Sequence, residues 1–169
     1  MHTHLDKGHI WERSPNLDGS FNGALDAGAR DGEKYWNAED IYRRMEFGLK
    51  CSYAHGTKAI RTHIDCFGEQ ANISLEVFQT LQKQWEDRLI LQPVSLVGGD
   101  YYLTQAGEKL ANQVADVGGI LGGVPFMSSD VDNQLDRLFS LAKERQLDLD
   151  LHTDCLLYTS DAADESVSV

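Results

Sequence analysis

The sequence predicts an α/β fold, read as part of a parallel (β/α) barrel with about four strand–helix units and a fifth strand. Three observations predict it. Helix-like and strand-like hydrophobic periods alternate from Asn37 to Asp154. Ionisable residues gather at the C-terminal ends of the strand-like runs, where barrels carry their chemistry. No Gly-x-Gly-x-x-Gly follows a strand, which counts against a dinucleotide-binding open sheet, the other arrangement that this alternation allows.

The elements follow in order. His2-Thr3-His4-Leu5-Asp6 reads as the first strand. Residues 7–37 read as a long loop, because Gly8, Pro15, Asn16, Gly19, Gly23, Gly28 and Gly32 break any regular period. The loop also carries His9, Trp11, Phe21, Tyr35 and Trp36. It is read as covering a substrate, or as packing on the outside of the fold. Asn37 caps a helix with Ile41, Met45 and Leu49 on one face, ending near Gly56. A strand over Ala59–Asp65 follows, then a helix capped by Ser74 with Leu75, Phe78, Leu81 and Trp85 inward. Leu89–Val97 is an apolar strand. Thr104 caps a helix with Ala106, Leu110, Val114 and Val117 inward. Gly119–Phe126 is a small glycine-rich strand. Asp130 caps a helix with Val131, Leu135, Leu138 and Ala142 inward, and Leu147–Asp154 is the last strand.

Composition bounds the class. The 169 residues suffice for one domain, and 41% hydrophobic with 25% charged residues is ordinary for a globular protein. A formal net charge of −12 argues against nucleic acid or an anionic membrane as partner. No apolar run is long enough to span a bilayer. Cys51, Cys66 and Cys155 lack metal-motif spacing and read as reduced thiols of a cytoplasmic protein.

Side chains two apart on a strand share a face, so His2 and His4 can hold one divalent metal ion, unless they are merely a polar N-terminus. In the last strand Asp148, Asp150, His152 and Asp154 face away from Leu147, Leu149 and Leu151. Turned inward, Asp150 and His152 need partners, and a metal would serve His152. The alternative is an edge strand with a solvated face. On the second strand Arg61, His63 and Asp65 share the inward face. Arg61 and Asp65 are expected to pair, with His63 near the substrate, or all three belong to an interior hydrogen-bond network. Cys66 reads as a buried residue without a base to activate it.

Taken together, His2-Thr3-His4-Leu5-Asp6-Lys7-Gly8-His9, Arg61-Thr62-His63-Ile64-Asp65 and His152-Thr153-Asp154 resemble the amidohydrolase superfamily, most of all its cytosine deaminase branch. The resemblance covers about residues 1–154. It implies a TIM (β/α)8 barrel with one catalytic divalent metal ion, iron or zinc. By matching motifs His2, His4 and His152 would be ligands, with Arg61, His63 and Asp65 around them or lining the substrate. A strand-six histidine and a strand-eight aspartate complete such sites, and this sequence holds neither. The reaction implied is hydrolytic deamination of a small molecule, a cytosine-like ring. The alternatives are hydrolysis of another cyclic amide or amidine, and a non-catalytic binding module. The family places a proton-shuttling glutamate three residues after the last histidine. Here that position is Cys155, so no residue is assigned a catalytic role and the chain alone is expected to be inactive.

The pattern breaks at that residue. Cys155-Leu156-Leu157-Tyr158-Thr159-Ser160-Asp161-Ala162-Ala163-Asp164-Glu165 resembles the translation of a transposase-type sequencing adapter. Residues 155–169 are therefore expected to be a non-native tail, and residues 1–154 the N-terminal part of a longer barrel. The parent is free to be a homo-oligomer. Open strand edges are expected to make this chain self-associate, with its third and fourth strands partly wetted.

Overall fold

The computed structural model describes residues 2–153, with His2 described by its backbone alone. Asp154, Cys155 and the adapter-like stretch lie outside the described residues. The elements are β1 (His2–Thr3), α1 (Phe21–Tyr35), α2 (Ala38–Ala54), β2 (Ala59–Asp65), α3 (Gln70–Trp85), β3 (Ile90–Leu96), α4 (Gln105–Asp116), β4 (Leu121–Gly123), α5 (Val131–Arg145) and β5 (Leu149–Leu151). A 3-10 turn, Gly99–Leu103, precedes α4. Among the described residues no helix is long and apolar enough to cross a membrane.

All strand pairs are parallel. β1, β2 and β3 form one sheet, with His2 beside Arg61 and His63 beside Val94. β4 and β5 pair with Gly122 beside Asp150. Isolated parallel bridges, Val94 to Ile120 and Gly98 to Val124, join the two sheets. The strands thus follow one another in chain order. A doubly wound sheet reverses direction at a switch point, and this one does not, so the described strands form an arc of the barrel kind.

The helices cover the outside of the arc. Ile41, Met45 and Leu49 of α2, Leu75, Phe78, Leu81 and Trp85 of α3, Leu110 and Val114 of α4, and Leu138 and Leu141 of α5 pack with Ile60, Ile64, Leu91 and Leu121. Asn37 and Thr104 cap α2 and α4 as expected, their side-chain oxygens accepting from the N–H groups of Asp40 and Gly107. Gly122 is required by close packing, since a Cβ there would collide with Ser95, Val94 and Asp150.

Several expectations need correction, among them Asp130, which precedes α5 but makes no side-chain capping hydrogen bond, and β1, which spans only His2–Thr3. Residues 7–37 are not one loop, because α1 occupies Phe21–Tyr35. Ser20 caps it, accepting from Gly23 N–H, and the three internal glycines that hid it lower its helix propensity without preventing it. α3 begins four residues before Ser74, which lies buried inside the helix and accepts from Gln70 Nε2. Ala106 is exposed, and Gly107 takes the inward position against the backbone of Tyr101 and Tyr102. β4 and β5 keep only three residues each. The strands expected to be partly wetted are largely covered: Leu91, Val94, Leu96, Val97, Ile120 and Leu121 are all buried.

Candidate active site

The C-terminal ends of β1, β2 and β5 bring three histidines together. His4 follows β1, His63 lies on β2 and His152 follows β5. The facing ring nitrogens of His4 and His152, both Nε2, are 3.2 Å apart. Ring centroids are 5.2 Å apart for His4 and His152, 5.4 Å for His4 and His63, and 4.4 Å for His63 and His152. His152 reaches this place because its N–H donates to the carbonyl of Gly123 at the end of β4.

A charged pair braces the group from below. Arg61 donates to Asp150 Oδ2 at 2.7 Å and to Gln92 Oε1 at 2.8 Å. Asp150 Oδ1 stands 3.7 Å from His63 Nε2. The expected pairing of Arg61 with Asp65 does not occur. Residues four apart on one strand are separated by about 13 Å, so Arg61 reaches to Gln92 on the adjacent β3 and to Asp150 on β5, which is not a neighbour of β2 in the sheet. Asp65 pairs instead with Lys7, at 2.8 Å across the β1–β2 boundary.

Asp6 is fully buried, and its Oδ2 accepts from the backbone N–H of Asp65 at 2.7 Å. Burial first, and the Asp65 carboxylate second, push its carboxyl up to about 7. Cys66 is wholly buried, and burial pushes its thiol well up, so it is an inert core residue.

His4 and His152 open onto a cavity of about 1620 Å³. Lys7, His9 and Asp65 share its wall with the aromatic side chains of Trp11, Phe21, Trp36, Phe67 and Phe126. Of the aromatics singled out between residues 7 and 37, Trp11, Phe21 and Trp36 line the cavity, Phe21 from α1, whereas Tyr35 is not among its lining residues and packs against Arg13 and Lys34. Lys7 is a lining residue to which the sequence reading gave no role. Its signal was its position one residue after the acidic end of the first motif.

Among the described residues no group of three His, Cys, Asp or Glu is arranged to hold a metal ion. His2 enters only through its backbone pairing with Arg61, and Cys155 lies outside the described residues. The His4–His152 pair nevertheless has the spacing of two metal ligands. Two imidazole nitrogens, each about 2.1 Å from a tetrahedral metal, lie roughly 3.4 Å apart. The donor set of the two described ligand candidates therefore fits a divalent ion.

The chain's relatives fit an amidohydrolase-superfamily deaminase. No protein-family model matches the chain. Among individual proteins, the pterin deaminase of Rhizobium rhizogenes is 51% identical over 155 residues, 91% of this chain and 36% of its own length. The N-isopropylammelide isopropyl amidohydrolase of Pseudomonas sp. strain ADP is 31% identical over 159 residues, covering 89% of this chain and 39% of that protein. In fold, 5-methylcytosine deaminase from Klebsiella pneumoniae superposes with a TM-score of 0.77 at 21% identity, over 90% of this chain and 38% of that one. N-isopropylammelide isopropylaminohydrolase from Burkholderia multivorans gives 0.64 at 25% identity, over 89% and 39%. The chain thus spans less than two fifths of the length of these proteins.

Proposed function

We propose that the protein to which this chain belongs is a metal-dependent hydrolytic deaminase acting on an amino-substituted nitrogen ring. The observation that carries this reading is the juxtaposition of His4 and His152 at the strand ends, on the wall of the large cavity. The 51% identity to a pterin deaminase puts a pterin ahead of the cytosine-like ring expected from the sequence.

In this reading His4 and His152, with His2, hold one divalent ion, iron or zinc. When bound, the ion lowers the pKa of a coordinated water so that hydroxide is available near neutral pH. The chain's own residues do the rest of the placing. Asp150, itself fixed by Arg61, faces His63 and favours one orientation of that ring beside His152. Trp11, Phe21 and Trp36 offer apolar faces against which a flat ring can stack. Residues 155–169 are read as a non-native tail, and a thiol at Cys155 cannot take the place of a proton-shuttling carboxylate. The 169-residue chain alone is therefore inactive.

The test is a chimera in which this chain's aligned residues replace the matching part of the Rhizobium pterin deaminase. Ammonia release from pterin, lost on His4→Ala or His152→Ala, is the expected result. A folded, metal-loaded chimera that releases no ammonia from pterin or cytosine overturns the deaminase reading. Release of an alkylamine from isopropylammelide instead would replace it with the amidohydrolase reading.

A further inference from the structure

The cavity wall carries a polar pair that the histidine cluster does not use. Lys7 Nζ lies 2.8 Å from Asp65 Oδ1, and both side chains line the cavity alongside His4 and His152. They are 27% and 21% exposed, so this is a half-buried pair and not a surface one. β1 and β2 pair in parallel only as far as Thr3 and Thr62, and the turn that follows β1 brings Lys7 to Asp65, with the bond from Asp65 N–H to Asp6 Oδ2 anchoring the backbone beside them.

Each partner has capacity left over. An ammonium has three N–H donors and a carboxylate about four acceptor sites, and their mutual bond consumes one of each. The apolar side chains of Phe67 and Leu96 on the same wall lower the local dielectric and strengthen any further hydrogen bond made there. A donor beside an acceptor is the complement of one common ring feature: a lactam edge, a carbonyl next to an N–H.

We propose that Lys7 and Asp65 are specificity-determining residues that read the lactam edge of the substrate ring, Lys7 Nζ donating to the ring carbonyl and Asp65 accepting from the adjacent ring N–H. The proposal rests on the deaminase reading of this cavity and names what its substrate must carry. A pterin has such an edge, and methylation of that ring nitrogen removes the donor while leaving the rest of the ring in place.

The experiment titrates the full 169-residue chain with pterin and with 3-methylpterin, following pterin fluorescence. The wild-type chain should bind pterin about tenfold more tightly than 3-methylpterin, the loss expected for one charge-assisted hydrogen bond. Asp65→Asn should weaken pterin binding about tenfold and leave 3-methylpterin binding unchanged, whereas Lys7→Met should weaken binding of both rings about tenfold, because both keep the carbonyl. Equal affinity of the wild type for the two rings, no measurable binding of pterin, or wild-type pterin affinity in both folded variants overturns the proposal. Should a variant fail to fold by circular dichroism, the two-ring comparison on the wild type still decides. The deaminase reading fails separately. Ring discrimination here without ammonia release from the chimera keeps the lactam pair and loses the deaminase. Ammonia release from both rings alike does the reverse.

Discussion

Helices α1 and α3 are nearly equal in length, 15 and 16 residues, yet they are held by different forces. α3 buries seven residues, all apolar except Ser74. α1 buries only Ala27 and Asp31. What fixes α1 is polar. Arg13 donates to both oxygens of Asp31 at 2.7 Å and to Asp40, and the indole of Trp36 also donates to Asp31 at 2.7 Å. Ser14 Oγ donates to the carbonyl of Ala27. Arg44 ties the same cluster to the strand-one end, donating to Asp40 and to the carbonyl of Asp6. The cavity wall from residue 7 to residue 36 therefore hangs on a few ion pairs, while the strand–helix units behind it rest on a continuous apolar core.

The largest expected effect breaks the apolar side. Phe78 is 1% exposed, and Phe78→Ala should cost about 3–5 kcal/mol by lost burial and a residual cavity. Chemical denaturation should show it as a loss of global stability, with α1 and α3 unfolding together. A cost under about 1 kcal/mol would mean that the core can collapse around the gap.

Arg13→Ala breaks the polar side. It leaves the buried Asp31 carboxylate with only the Trp36 indole as partner, but Arg13 is itself 30% exposed, so solvent screens part of the loss. The expected cost is about 1–2 kcal/mol. It should be local: amide hydrogen exchange should quicken in α1 and stay unchanged in α3. Equal acceleration in both helices would show that α1 is coupled to the core after all.

The smallest effect concerns pH. Hydrogen bonding from Arg13, foremost, holds the Asp40 carboxyl below its ordinary 3.8. A carboxyl with a lowered folded-state pKa stabilises the fold above its unfolded value, and that stabilisation is lost as pH falls through the folded value. The thermal midpoint should therefore drop as pH falls below about 4, and more gently in Asp40→Asn. Parallel pH profiles would remove Asp40 from the clamp's energetics.

The same contrast explains what the sequence made legible. α2, α4 and α5 announce themselves because apolar residues recur at helical spacing after Asn37, Thr104 and Asp130. α1 does not. Gly23, Gly28 and Gly32 interrupt its pattern, and its anchors Arg13 and Asp40 lie outside it in the chain. Strand alternation put His4 and His152 on inward positions at strand ends, and only the motif resemblance put them together. The partners of Arg61 and Asp65 could not, because alternation gives a face and not the neighbour across the sheet.

The reading of the site requires that His4 and His152 share one divalent ion. Titrating the full chain with cobalt(II) and following its visible d–d absorption tests that claim without any substrate. One ion per chain is the predicted stoichiometry, with binding lost in both His4→Ala and His152→Ala and retained in His55→Ala, whose ring is exposed and bonded to its own helix. Unchanged cobalt binding in either of the first two variants would contradict the shared site.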